Sequence, residues 1–258
     1  MKYSFRTDNF LFEFIESQID NNVLWESHCH PQYELIAVFE GDISIMIEGR
    51  SYSLNANNAI VIPPLSYHTV TANKRGKYKR MMALFDPPAF PEVLQKYFIN
   101  DRATVFYSYQ LNDFEKILTS EDAEFYKPFA ESIMVRIMYE CIESRASNSS
   151  EDINDVLNQI ISYIDGHLCE KITLDDIALH TARSKSSVCH LFCEQMKISP
   201  KQYILQKKLA LAGKLINDGV PPTIAAMRIG YDNYSDFYRM YVKHFKKMPS
   251  QYKIHQMH

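Results

Sequence analysis

Ser184–Tyr203 reads SKSSVCHLFCEQMKISPKQY, and Asn233–Tyr252 reads NYSDFYRMYVKHFKKMPSQY. The second stretch repeats the first at a constant offset: Val188 matches Phe237, Leu191-Phe192 matches Met240-Tyr241, and Met196 matches Phe245. Pro200 with Gln202-Tyr203 then matches Pro249 with Gln251-Tyr252. Self-similarity at a fixed period marks a duplicated structural unit. Each copy sets apolar residues at helical spacing behind a capping residue, Ser184 or Asn233, and so predicts a helix entered from a turn.

Around these two stretches the chain reads as helices throughout. Ile153, Val156, Leu157, Ile160, Ile161, Ile164 and Leu168 form one stripe, ending near Gly166-His167. Thr173 followed by Asp176 predicts a capped start for a short helix through Ile177-Ala178. Ser199-Pro200 opens a long connector with Tyr203, Leu209, Ala212, Leu215 and Ile216 on its apolar face, ending at Asp218-Gly219. Pro222 suits the first turn of another short helix, and Gly230 suits a turn at positive φ. The result is two helix-turn-helix units. Their buried faces correspond, while their open faces differ. The first shows Lys185, Ser186, Ser187, Cys189 and His190, and the second shows Tyr234, Ser235, Asp236 and Arg239. Lys243, His244, Lys246 and Lys247 form a basic cluster suited to phosphates.

The charge distribution agrees. Net charge over all 258 residues is −3, yet residues 1–152 carry −8 and residues 153–258 carry +5. Such asymmetry expects a polyanion at one half only. The five cysteines are odd in number, scattered and without a C-x-x-C pair, which fits reduced thiols in a cytoplasm. Phe10 to Ile15 is apolar but short and interrupted by Glu13, unlike a signal peptide. No run approaches the roughly 18 apolar residues of a membrane span. A soluble, cytoplasmic protein is therefore expected.

The first half alternates short β-rich runs with turns. The runs are Tyr33–Phe39, Ile43–Ile47, Tyr52–Leu54, Ala59–Ile62, His68–Thr71 and Met81–Phe85, and they predict an antiparallel sandwich or barrel. Phe90 to Phe98 is a short helix or an irregular segment. Residues 128–144 keep Phe129, Ile133, Met134, Ile137, Met138, Cys141 and Ile142 on one helical face, for packing on the barrel or in a dimer. The polar run 144–152 reads as a linker, so the expected domains are 1–143 and 153–258.

This half has three histidines, His28, His30 and His68, with Glu34 close behind the first two. In extended chain His28 and His30 point the same way. Together with Glu34 and His68 they can form a divalent-metal site with open positions, or line a polar pocket that holds no metal. Trp25, Tyr33, Tyr67 and Phe85 suit an apolar pocket wall around them. The spacing His28-x-His30, then Glu34, then Gly41 resembles the first motif of the cupin fold. Pro63 to His68 partly meets the second, without its glycine, and the first-motif glycine is also absent. That resemblance implies a jelly-roll barrel over roughly residues 20–86.

Residues 153–253 resemble the DNA-binding domain of the AraC/XylS family of bacterial transcription regulators. The resemblance rests on Ile172-Thr173-Leu174, Ile177-Ala178, Ser184, Leu191-Phe192, Ser199-Pro200, Tyr203-Ile204 and Ile224-Ala225. It continues through Gly230-Tyr231-x-Asn233-x-Ser235-x-Phe237-x-Arg239, Lys243, Pro249 and Tyr252. Lys246 and Met248 depart from the family's usual Gly and Ser/Thr, which bears on the turn after the last helix. The resemblance implies an all-β sensing domain with flanking helices followed by an all-α tandem helix-turn-helix domain. It places Ser186, Cys189, His190, Tyr234, Ser235, Asp236 and Arg239 at base edges. It further implies promoter DNA, RNA polymerase and a small-molecule effector as partners, a sugar being a common one, and an activator working as a homodimer without any required cofactor. The rival class is a metal-dependent cupin enzyme with a helical appendage, carried by His28, His30, Glu34 and His68.

Overall fold

The computed structural model describes residues 2–19, 23–25, 27–72, 75–99, 103–108, 111, 123–144 and 155–251. The strands are β1 (Lys2–Arg6), β2 (Phe10–Ile19), β3 (Val23–Leu24), β4 (Tyr33–Glu40), β5 (Ile43–Ile47), β6 (Arg50–Leu54), β7 (Asn58–Ile62), β8 (His68–Ala72), β9 (Gly76–Phe85) and β10 (Thr104–Tyr107). The described residues of the first half also form a single helical turn α1 (Glu92–Gln95), flanked by 3-10 turns at Pro87–Ala89 and Lys96–Ile99, and the long α2 (Ala123–Ser144). Six helices follow: α3 (Asp155–Gly166), α4 (Leu174–His180), α5 (Lys185–Met196), α6 (Pro200–Asn217), α7 (Pro222–Arg228) and α8 (Tyr234–Phe245).

The strands pair antiparallel in two sheets, ordered β1-β2-β9-β4-β7-β10 and β3-β8-β5-β6. Between the sheets lies an aliphatic core of Ile36, Val38, Ile60 and Ile62 from the larger and Ile43, Ile45, Leu54 and Val70 from the smaller. On the other face of the larger sheet, Tyr33, Leu35, Ala37, Val61, Met81 and Phe85 pack against Ala130, Ile133, Met134, Ile137, Met138 and Cys141 of α2. Covering on both faces explains why β4 is buried almost continuously, since neighbouring side chains point to opposite sides.

Two expectations change here. Phe10 to Ile15, weighed only as a targeting segment, is the start of β2, with Phe10, Phe12 and Phe14 buried and their neighbours half-buried. It lies inside the sheet between β1 and β9. Phe129, placed on the apolar stripe of α2, is 52% exposed, because that stripe turns through Ala130 instead. The linker over 144–152 begins at the last residue of α2 and otherwise lies outside the described residues.

The helical half forms two cores that share α6. Tyr203 and Ala210 join Leu157, Ile160, Ile164, Val188, Phe192 and Met196, while Leu209, Ala212 and Ile216 join Ala225, Ala226, Phe237 and Tyr241. Side-chain caps close the starts of α4, α5, α6 and α8. Thr173 with Asp176 and Ser199 with Gln202 form capping boxes, and Ser184 and Asn233 cap α5 and α8. Lys197 and Lys246 occupy corresponding positions of the repeat, and both end their helix in the left-handed region at φ +56°. Lys246 therefore keeps the turn usually made by Gly, and the repeat extends to its cap. Lys208 donates through Nζ to the carbonyls of Glu170 and Ile229, tying one unit to the other.

Candidate nucleic-acid interface and histidine cluster

On α5 only Val188, Phe192 and Met196 are buried, which leaves Lys185, Ser186 and His190 exposed and Ser187 and Cys189 half-buried. A groove of about 520 Å³ opens at the start of this helix, lined by Arg183, Ser184, Ser186, Ser187, His190, Leu191 and Val156. Lys185 pairs with Asp175 of α4 at 2.6 Å, a contact between exposed groups that DNA phosphate can displace. On α8, Phe237 and Tyr241 are buried, and Tyr234, Ser235, Asp236, Tyr238 and Arg239 are exposed. Arg239 Nη2 donates to Asp236 one turn earlier, so the guanidinium is held on the open face by a partner of opposite charge. Lys243 and Lys246 are exposed and Lys247 is half-buried, its ammonium pulled down by burial and by Arg6. Tyr238 lies on the same open face, and the sequence reading does not include it. Its offset from Tyr234 is one helical turn, a signal that could have found it.

The structure brings His28, His30, Glu34 and His68 together, with one ligand atom from each within 4.8 Å of the others. His28 and His30 sit on an irregular segment between β3 and β4 rather than within a strand. His28 bridges to His68, each amide donating to the other's carbonyl at 3.0 Å. Glu34 is buried on β4 and His68 is fully buried at the start of β8. Burial alone would raise the Glu34 carboxyl, but the His68 charge and hydrogen bonding from His30 and His68 hold it well below the usual carboxylate range. The same pairing outweighs burial at His68 and raises its imidazole.

The other pocket residues do not gather around this cluster. Trp25 lies between the sheets, with its ring 5.2 Å from Tyr78 and the Arg80 guanidinium 5.0 Å from its centroid. Tyr33 and Phe85 stack at 5.7 Å on the α2 side of the larger sheet, where the alternation of β4 turns Tyr33 away from Glu34. Tyr67, next to His68, points the opposite way from it and packs edge-on to Tyr203 of α6 at 5.6 Å. The expectation of one pocket walled by all four aromatics is corrected accordingly.

Tyr67 leads to a feature that sequence reading did not find. Cys29 and Tyr67 are buried in the same core as Leu157, Ile160, Phe192, Met196 and Tyr203, so the first helix-turn-helix unit is docked on the barrel. The turn Glu48-Gly49 joining β5 and β6 enters this contact. The Glu48 carboxylate accepts from the Tyr67 amide at 2.8 Å, from the Tyr203 hydroxyl, and from Lys207 Nζ at 2.9 Å. Lys207 also pairs with Asp165 of α3 at 2.9 Å. Burial would lower the Lys207 ammonium, but the two carboxylates raise it. Burial and Glu48 together push the Tyr203 phenol well up. Glu48 holds a φ of 48°. That is a strained setting for a residue with a side chain, and it persists where the surrounding contacts over-determine it. A lysine in a sequence that reads as a helical connector gives no sign that it will be buried.

Residues 9–152 match the family described as the AraC-like ligand binding domain, and residues 177–254 match a helix-turn-helix domain. The HTH-type transcriptional regulator YdiP of Escherichia coli K12 is 25% identical over 253 residues, covering 89% of this chain and 82% of the relative. The melibiose operon regulatory protein of the same organism is 21% identical over 255 residues, covering 90% and 84%. The crystal structure of ToxT from Vibrio cholerae O395 aligns with a TM-score of 0.45 and 11% identity over 97% of this chain and 99% of that one. With an AraC-like ligand-binding domain followed by a helix-turn-helix DNA-binding domain, the chain belongs to the AraC family of transcription regulators.

Proposed function

We propose that this regulator reads an asymmetric promoter element through α5 and α8 and answers to a small-molecule effector taken up by its N-terminal domain. The observation that carries the reading is the contrast between matched buried faces and unlike open faces in the two units. The two helices enter successive major-groove segments about 34 Å apart, on one side of the duplex. Ser186, Cys189 and His190 read bases in one segment, and Tyr234, Ser235, Asp236 and Arg239 read them in the other. Lys243 and Lys246 hold phosphates. The regulator acts as an activator, as a homodimer that works with RNA polymerase. Phe129 and Tyr139, both exposed on α2, support self-association through that helix. The relatives are regulators, and the exposed reading faces favour this role over a cupin enzyme.

The test is binding-site selection from random duplexes, followed by affinity measurement on the selected element and on an unrelated one. Arg239→Ala is expected to weaken the selected element by about 1–3 kcal/mol, while binding to unrelated DNA persists. Equal affinity of wild type and variant for the selected element would remove Arg239 from the reading face. Lys243→Ala should instead weaken both duplexes alike and reduce the slope of log K against log salt by about one.

A further inference from the structure

Arg80 places a positive charge between the two sheets. It lies on β9 and is 9% exposed. Strand alternation sets it with Tyr78 on the face turned toward the smaller sheet, while Met81 and Ala83 face α2. Its register neighbours are apolar, Ile15 on β2 and Val38 on β4. Glu13, on the same face of β2, stands opposite Met82 instead, and Glu34 is held by His30 and His68. Among the described residues no carboxylate closes on the guanidinium, and Arg80 Nε is buried without a hydrogen-bond partner. An arginine cannot shed its charge, and a buried charge is ordinarily paired.

The Tyr78 hydroxyl is also buried without a partner among the described residues. Burial pushes its phenol up to about 12, so at neutral pH it remains an O–H donor. Trp25 stands beside both, its ring 5.2 Å from that of Tyr78 and its centroid 5.0 Å from the Arg80 guanidinium. The indole offsets part of the charge but offers no oxygen to the N–H groups. Trp25 is only half-buried, so this corner of the core borders solvent.

We propose that Arg80 and Tyr78 bind the carboxylate of a small organic acid beside Trp25, and that this acid is the effector. The proposal rests on the effector reading above and names its chemical class. A carboxylate matches the planar fork of a guanidinium with two parallel hydrogen bonds. One arginine balances one negative charge, which selects a monocarboxylate over a phosphate ester. The body of the acid is apolar, because this face is packed with Ile36, Val38, Ile60 and Val70. A neutral sugar brings no charge to set against Arg80.

Trp25 is the chain's single tryptophan, so its fluorescence reports on this site. The full chain is titrated with sodium butanoate, hexanoate and cyclohexanecarboxylate, each against its neutral amide, at constant ionic strength. At least one acid is expected to saturate the signal. Its amide should bind at least about tenfold more weakly, having lost the charge that strengthens both hydrogen bonds. Tyr78→Phe should weaken the acid about fivefold. Arg80→Met should abolish saturation, and Arg80→Lys, which keeps the charge without the fork, should fall between. Arg80→Met also separates a binding arginine from a structural one with no ligand present. Methionine keeps a contact with the indole, and removing an unpaired buried charge should leave the urea midpoint unchanged or raise it. A lower midpoint, equal response to acid and amide, or no saturation by any of the three acids overturns the site. None of these readouts uses DNA. An acid that binds at Arg80 yet leaves duplex affinity unchanged would overturn the effector reading and leave the site standing.

Discussion

Lys207→Met is expected to destabilise the folded chain by about 3–5 kcal/mol, the cost of removing one partner from a buried ion pair. The Lys207 side chain is 5% exposed and that of Glu48 is 19% exposed, so the carboxylate left behind has little water to turn to. The Asp165 side chain is 41% exposed. Solvent screens it, which makes Glu48 the dominant partner. Urea unfolding followed by circular dichroism measures the effect, and a companion Glu48→Gln identifies its source. With the carboxylate already neutral, Lys207→Met should cost markedly less, because no anion is stranded. A loss below about 1 kcal/mol would place the pair among ordinary surface ion pairs. The sign of the pH dependence follows from the raised ammonium. Its contribution is fully present below the unfolded lysine value and fades only as pH rises through the higher folded one. Between about pH 6 and 9 the gap between wild type and Lys207→Met should stay constant.

Gly49→Ala should cost about 2–5 kcal/mol, the sum of a backbone cost and an overpacking cost, although it adds one methyl group to a two-residue turn. Gly49 holds a φ of 80°. A side chain in that left-handed setting costs roughly 1–2 kcal/mol. A Cβ there would also stand 2.5 Å from Leu157 Cδ2 and 3.4 Å from the Met196 sulfur. Overpacking of this kind costs about 1–3 kcal/mol. Gly219→Ala is the matched control. Gly219 holds φ +90° with nothing within 4 Å of an added Cβ, so it reports the backbone cost alone. The excess of Gly49→Ala over Gly219→Ala in urea unfolding then measures the domain contact. Equal costs would mean that Leu157 yields freely and that the barrel and helices are only loosely docked.

The helical domain was legible almost residue by residue. Its boundaries are set by short-range chemistry, as with Thr173 and Asp176, Ser199 before Pro200, and Asn233 before Tyr234. The repeat meanwhile exposes which positions must be apolar. The barrel strands between Tyr33 and Phe85 were legible for the same local reason. Phe10–Ile19 alternates as clearly as any of them, and a reading for targeting alone leaves that alternation unused. The histidine cluster could be grouped from spacing, since His28, His30 and Glu34 are near neighbours and His68 is the half's remaining histidine. The direction of its aromatic neighbours could not. Whether Tyr33 and Tyr67 face the cluster depends on which side of a two-faced sheet is covered by α2 and which loop meets α6, and both are contacts between distant segments. Glu48, Gly49 and Lys207 were invisible for that reason. A charged turn and a helical lysine look solvated until two domains close over them.

The shared connector has a consequence for how target sites can evolve. The α6 helix is 18 residues long. At the rise of an α-helix it reaches about 27 Å. It contributes to the core of both units, and its Lys208 fastens one to the other. A flexible tether between reading heads tolerates many gap lengths in the DNA. A packed helix acts as a ruler with a single mark. If α5 and α8 read successive groove segments as proposed, new promoters can be recruited by base changes within each element, but not by a base pair inserted between them, since each insertion turns one element about 34° away from its reading helix. The set of genes under such a regulator widens by spelling and never by spacing.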